Sequence, residues 1–321
     1  MPVGLIYDPI FLKHDTGAHV ENRNRLIATV DLLRACSLLE KLVKIEPRLA
    51  TQEELLLVHS EKHVERVRSC SEGGGCWLDG DTYASPESYE VALYAVGGVL
   101  NGLQAVMEGT VDSAFALVRP PGHHATEQRA MGFCLFNNIA IAAKYALERY
   151  KLKKVLIVDF DVHHGNGTEE IFYHDRQVLY FSTHQYPYYP GTGSRDETGT
   201  GEAKGTTLNV PMYRGADDKS YREVYETTLV PAARKFQPEL ILVSAGYDGH
   251  WADPLAGMQL SVKGYCELTA IVKNLASELC NGRMLFSLEG GYDLTALSHS
   301  IRGTLEVLMG LPISDDPLGV A

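Results

Sequence analysis

Short unbroken apolar runs, spaced along the chain with helix-length segments between them, restrict the fold of this 321-residue protein more than any other feature. Val155-Leu156-Ile157-Val158, Leu240-Ile241-Leu242-Val243 and Met284-Leu285-Phe286 do not alternate apolar with polar, which is the pattern of strands covered on both faces. The expected strands are 3–7, 113–118, 155–160, 178–183, 206–210, 239–245 and 283–289. Helical periodicity runs over 21–35, 60–69, 87–108, 134–150, 219–236, 261–281 and 294–309. This alternation specifies an α/β fold: a central, mainly parallel sheet flanked by helices on both faces, expected as one domain over residues 1–321. No internal repeat or low-complexity linker divides it. Polar loops at 73–86, 119–133, 184–205 and 246–260 follow, or lie close to, the carboxyl ends of strands. Loops of that length in a compact domain carry function, and open parallel sheets place their ligand sites at that edge.

The formal charge of −12 argues against nucleic acid or an anionic membrane as partner. The N-terminus, Met1-Pro2-Val3-Gly4-Leu5-Ile6-Tyr7, has no basic segment followed by a long apolar core, and no run of 18 apolar residues marks a membrane span. The expected location is cytoplasmic. Six cysteines (Cys36, Cys70, Cys76, Cys134, Cys266 and Cys280) are scattered without a close pair, and read as reduced core thiols rather than a zinc site. Nothing in the sequence specifies an oligomeric state.

Four clusters follow expected strands. Asp159-Phe160-Asp161-Val162-His163-His164-Gly165-Asn166-Gly167 puts two carboxylates and two imidazoles just past 155–158. Asp161 and His163, two apart, point the same way on an extended strand end. With a third ligand from elsewhere they suit an open catalytic zinc site. Taken alone, they read equally well as a cap and turn into the next helix. Arg119-Pro120-Pro121-Gly122-His123-His124 follows Ala114–Val118, and its paired imidazoles suit proton transfer near neutral pH. Ser244-Ala245-Gly246-Tyr247-Asp248 offers a further carboxylate as third ligand, and Leu288-Glu289-Gly290-Gly291-Tyr292 presents a phenol able to donate to an oxyanion. Singly, Asp248 reads as a helix cap and Tyr292 as a half-buried tyrosine.

Together these segments resemble the zinc-dependent histone deacetylase family, which has the arginase-deacetylase fold. The match includes RPPGHHA at 119–125, GFCLFNN at 132–138, DFDVHHGNGT at 159–168, YPGTG at 189–193, SAGYDGHWADPLAG at 244–257 and LEGGYDL at 288–294. It covers nearly the whole chain in the family's order. Asn166 within HHGNG and the LEGGY spelling are similar to the class II branch and its prokaryotic homologues.

The resemblance implies that Asp161, His163 and Asp248 bind one catalytic Zn²⁺. It implies that His124 is the general base and then acid, with His123 in electrostatic support and Asp159 orienting His123. Asn166 stands behind His124, where class I enzymes carry Asp, so His124 is expected to be the weaker base. Tyr292 would donate to the oxyanion. Phe133 and Tyr189 would wall a narrow tunnel for the lysine methylenes, with Gly132 and Gly191 letting the walls approach and Gly291 beside Tyr292. Asp81 would accept hydrogen bonds from substrate amides at the rim. Arg25 would lie in an inner cavity near product acetate, or else be a helix-surface charge. One or two structural K⁺ ions are implied: a nearer one on Asp159, Asp161 and His163 with Ser182 and Thr183, and a second at backbone oxygens around Phe172, Asp175 and Val178.

The implied reaction is deacetylation of an acetylated lysine peptide or protein, or of a small acetylated amine. In the polyamine-selective relative of this family a glutamate follows the Asp-Pro after the third zinc ligand. Here Leu255 follows Asp253-Pro254, so lysine side chains are expected over acetylpolyamines, unless Asp81, Glu87 or a neighbouring subunit supplies the charge. Two readings compete. Arginase shares the fold but carries a two-manganese site with more Asp ligands. A dead-site acyl-lysine binding module would have lost Tyr292 or a ligand, and none is lost.

Overall fold

The computed structural model describes residues 2–321. Eight strands form one sheet in the order β2-β1-β5-β10-β9-β6-β7-β8, every pair parallel. In chain order these are β1 (Val3–Ile6), β2 (Val43–Ile45), β5 (Ser113–Ala116), β6 (Val155–Asp159), β7 (Val178–Gln185), β8 (Thr207–Met212), β9 (Leu240–Ala245) and β10 (Met284–Leu288). A separate antiparallel hairpin pairs β3 (Cys76–Trp77) with β4 (Tyr83–Ala84). Every residue of β1, β5, β6, β7, β9 and β10 is buried, as their apolar runs lead one to expect of strands covered on both faces, and the polar end of β7, Ser182–Gln185, is buried with them.

The helices are α1 (Asn24–Ala35), α2 (Gln52–Leu55), α3 (Glu61–Glu72), α4 (Ser88–Met107), α5 (Asn138–Arg149), α6 (Asn166–Phe172), α7 (Asp218–Val224), α8 (Val230–Phe236), α9 (Val262–Leu279) and α10 (Leu294–Met309). One group, α1, α9 and α10, packs on itself, as do α4 and α5. Among the described residues α4 is the one helix long and apolar enough to cross a membrane. Here it is a core helix: a Cβ added at Gly98 would meet Ile6 of β1, and one at Gly102 would meet Ile6 and Leu285 of β10.

Several expectations change. The strand β2 is exposed or half-buried and only three residues long, too short to register as an apolar run. Residues 134–137 turn before α5 starts at Asn138, because the Asn137 side chain accepts from Ala140 N–H and caps the helix there. The expected helix 219–236 is α7 and α8 joined by a π-helical turn at Tyr225–Leu229, with Pro231 opening α8. The cysteine reading is corrected: Cys70 and Cys76 form a disulfide. The chain leaves α3 through Gly73-Gly74-Gly75, and Gly74 and Gly75 take φ of +100° and +95°, bringing the two Cα atoms to 5.4 Å. Cys36, Cys134, Cys266 and Cys280 are free, Cys36 at the surface and the rest buried.

Strands β5, β10, β9 and β6 are consecutive neighbours in the sheet. They run parallel, so the four sequence clusters leave the same edge side by side.

Candidate active site

The loop after β6 brings Asp161 and His163 together with Asp248 from the loop after β9. One donor atom from each residue lies within 4.8 Å of the others, and all three residues are buried. His163 Nδ1 is 3.0 Å from Asp161 Oδ1 and 3.1 Å from Asp248 Oδ2. Asp161 and His163 lie just past the strand, where His163 N–H donates to Asp161 Oδ1, so a turn rather than strand alternation aims them. Backbone donors fix both carboxylates: Gly290 N–H to Asp161 Oδ2 at 2.8 Å, and Val162 N–H to Asp248 Oδ1 at 2.9 Å. Glycines make room for them. A Cβ at Gly246 would fall 2.0 Å from Asp161 Oδ2, and one at Gly290 would fall 2.1 Å from Asp248 Oδ2. Burial opposes charge on His163, but Asp161 and Asp248 raise its pKa well above the ordinary value. Two carboxylates and an imidazole nitrogen packed this tightly out of water are a donor set fitted to a divalent cation.

His123 and His124, on the loop after β5, lie side by side with ring centroids 4.0 Å apart and planes tilted by 43°. His123 Nδ1 lies 3.1 Å from Asp159 Oδ2, which also accepts from Tyr180 O–H at 3.0 Å. His124 Nδ1 lies 2.8 Å from Asn166 Oδ1, while Asn166 Nδ2 donates to Met131 Sδ. An amide oxygen can only accept, so Nδ1 of His124 carries the proton and Nε2 is its free acceptor. The two environments drive the rings apart. Burial opposes charge on His123, but Asp161 and Asp159 outweigh it and hold its pKa near 10. Burial lowers His124 well below the ordinary value, and the neighbouring His123 and His163 add to the effect.

A cavity of about 210 Å³ leads to these groups. Its lining includes Asp81, His123, His124, Gly132, Phe133, His163, Tyr188, Tyr189, Leu255, Gly290 and Tyr292. Tyr189 meets His124 edge-on, Tyr188 stacks on His163, and Phe133 meets Tyr292 edge-on. Tyr188, which the sequence reading did not single out, donates its hydroxyl to the Leu255 carbonyl. Gly132 matters by close approach, since a Cβ there would lie 2.4 Å from His124 Cδ2. Gly191 does not: a Cβ there meets nothing within 4 Å, and its requirement is the turn's φ of +89°. Gly290 rather than Gly291 faces the cavity; Gly291 offers its carbonyl to Arg25 Nε at 2.7 Å.

Arg25 is fully buried, which removes the helix-surface alternative. It pairs with Glu21, its second guanidinium nitrogen reaches the Glu289 carbonyl, and its Cζ lies 5.0 Å from the Tyr292 ring centroid. Glu21 also takes Arg119, and it stays ionised despite burial because the two guanidinium groups hold its pKa well below the usual range. Sequence reasoning missed Glu21 and also Glu289. The Glu289 carboxylate accepts from Gly122 N–H, His123 N–H and Ser244 O–H, and so locks the imidazole loop to β9 and β10. At the positions proposed for a nearer potassium, Ser182 Oγ lies 2.9 Å from His184 Nδ1 and Thr183 Oγ1 is buried without a partner. Asp175 N–H donates to Phe172 O, Val178 N–H donates to Asp175 O, and the Asp175 side chain pairs with Lys144.

A histone deacetylase domain model matches residues 19–308. The chain is 39% identical over 318 residues to a probable deacetylase of Archaeoglobus fulgidus, covering 98% of this chain and 88% of that protein. It is 41% identical over 316 residues to histone deacetylase 10, chloroplastic, of Oryza sativa subsp. japonica, covering 93% and 71%. The crystal structure of an HDA15 HD domain superposes with a TM-score of 0.92 at 38% identity, covering 99% of this chain and 91% of that one. Fold and site therefore define a hydrolytic deacetylase built on the arginase-deacetylase fold. The chain belongs to the histone deacetylase family.

Proposed function

We propose that the protein removes acyl groups, acetyl first among them, from lysine side chains of peptides or proteins, with one Zn²⁺ held by Asp161, His163 and Asp248. The observation that carries this reading is the convergence of one narrow aromatic-walled cavity on the buried Asp-His-Asp cluster, two differently held imidazoles and a phenol. The slot between Phe133 and Tyr189 suits an unbranched methylene stem.

When bound, the zinc ion supplies Lewis acidity to the amide carbonyl and acidity to a water beside it. Every other contribution comes from the chain. His124 Nε2, left free by the Asn166 contact, takes the water proton and returns it to the leaving amine. His123, oriented by Asp159, keeps positive charge beside the reacting atoms. Tyr292 stays protonated, because burial and then Asp248 raise its pKa well above the ordinary value, so it donates a hydrogen bond to the developing oxyanion. Structural K⁺ near Ser182 and Thr183, and around Phe172, Asp175 and Val178, is part of the same proposal.

Leu255 lines the mouth and gives no partner for a second cation, which supports lysine side chains over acetylated polyamines. The second reading, a small acetylated amine as substrate, draws on Asp81 in the same lining. The test compares kcat/KM for an acetyl-lysine peptide with that for acetylputrescine, acetylspermidine and acetylcadaverine. The peptide is expected to lead; polyamines ahead by tenfold or more would replace this reading with acetylpolyamine hydrolysis.

A further inference from the structure

Tyr292 sits in the segment 290–293, which belongs to neither β10 nor α10. Gly290 and Gly291 precede it, and Gly291 has φ of +117°. Such a segment does not fix a phenol by itself, so its position comes from outside contacts. On one side Arg25 holds the Gly291 carbonyl. On the other stands Asp253, buried to 6% exposure, from the loop after β9. Its Oδ2 accepts from Tyr292 N–H at 2.7 Å and Asp293 N–H at 3.3 Å. Its Oδ1 accepts from Leu255 N–H at 2.9 Å. One carboxylate thus ties the backbone of the oxyanion donor to the residue at the cavity mouth.

We propose that Asp253 is a positioning residue for the reaction: it holds the Tyr292 phenol at the reacting carbonyl and couples that placement to the Leu255 loop. The inference rests on the reading of Tyr292 as oxyanion donor. Both oxygens of Asp253 accept from backbone donors on opposite sides, and the carboxylate carries no basic partner among its hydrogen bonds. A carboxylate is the one side chain of this size that accepts on both sides. An amide in its place turns its NH₂ toward one set of N–H groups and loses that side. Misplacing a catalytic group by about 1 Å costs on the order of a hundredfold in rate.

The test is a double-mutant cycle on the zinc-loaded enzyme, using Asp253→Asn, Tyr292→Phe and the pair, with kcat and KM for an acetyl-lysine peptide. Asp253→Asn is expected to lower kcat by about tenfold to a hundredfold. In the Tyr292→Phe background the same change is expected to cost less than about twofold, because the group it positions is gone. Zinc content and acetohydroxamate binding should match the parent. An equal loss in both backgrounds overturns the inference and makes Asp253 a general support of the loop. No loss in either background overturns it too. A lack of effect from Tyr292→Phe alone instead refutes the oxyanion role. Asp253→Ser is the second variant; loss of the thermal unfolding transition in both substitutions makes Asp253 a folding residue, which also overturns the proposal.

Discussion

Replacing Gly290 by Ala should weaken zinc binding without changing any of the three proposed ligand residues. Gly290 passes directly over the two carboxylates. An alanine Cβ there would lie 2.1 Å from Asp248 Oδ2 and 2.6 Å from Asp161 Oδ2, where ordinary contact begins at 3.4 Å, so Asp248 must withdraw by about 1.3 Å. Metal-ligand distances tolerate about 0.2 Å. The carboxylate cannot easily give way, since its other oxygen is held by Val162 N–H. Loss of an outer-shell contact alone costs about 10–100-fold in metal affinity, and displacement of a ligand should reach at least the upper end. The assay is competition for zinc against a fluorescent chelator, with Gly80→Ala as control because a Cβ at Gly80 meets nothing within 4 Å. Parent-like zinc affinity in Gly290→Ala would refute the claim that Asp161 and Asp248 share one ion.

Three further outcomes are expected. Tyr292→Phe should lower kcat on the order of a hundredfold while zinc content stays at the parent value, since the phenol is a donor and not a ligand; unchanged kcat would remove that role. Leu255→Glu should shift the ratio of kcat/KM toward acetylspermidine over an acetyl-lysine peptide by roughly tenfold or more, the worth of a charge-assisted hydrogen bond of about 1.5–3 kcal/mol; an unmoved ratio would dissociate Leu255 from selectivity. His59 is buried and neutral, accepting from Asn137 N–H at Nε2 and facing the Thr126 carbonyl at Nδ1, with its pKa pushed down by burial to about 3. The unfolded chain, with His near 6.5, therefore binds more protons between these values. Stability is full above pH about 6.5 and falls as pH drops toward 3, so the acid-side decline in Tm, each protein referred to its own value at pH 7.5, should be shallower in His59→Gln than in the parent.

Short apolar runs are a signal that survives without three-dimensional information, and they located β1, β5, β6, β7, β9 and β10 to within a few residues; β8, spelled Thr207-Leu208-Asn209-Val210, carries a weaker one. The edge strand β2 and the Cys76–Ala84 hairpin escaped because strands of two or three residues are too short to carry such a signal. The disulfide escaped because Gly74 and Gly75 turn the chain more tightly than its spacing suggested. In the site, residues that are chemically conspicuous in short motifs were legible: Asp161, His163, Asp248, His123, His124 and Tyr292 all converge. Illegible were the buried carboxylates that hold other groups in place, Glu21, Glu289 and Asp253. Each reaches a partner far along the chain: Glu21 takes Arg119 across 98 positions, Glu289 takes Gly122 N–H across 167 and Asp253 takes Tyr292 N–H across 39. Their signal is burial of a charge, which exists only after folding.

Zinc stoichiometry measured together with turnover tests the central claim most directly. Purified parent protein that hydrolyses an acetyl-lysine peptide should carry one zinc per chain by elemental analysis. Asp248→Ala should lose both metal and activity, and a chelator should remove both from the parent, with zinc restoring them. Full turnover by protein free of divalent metal, or by Asp248→Ala, would contradict it.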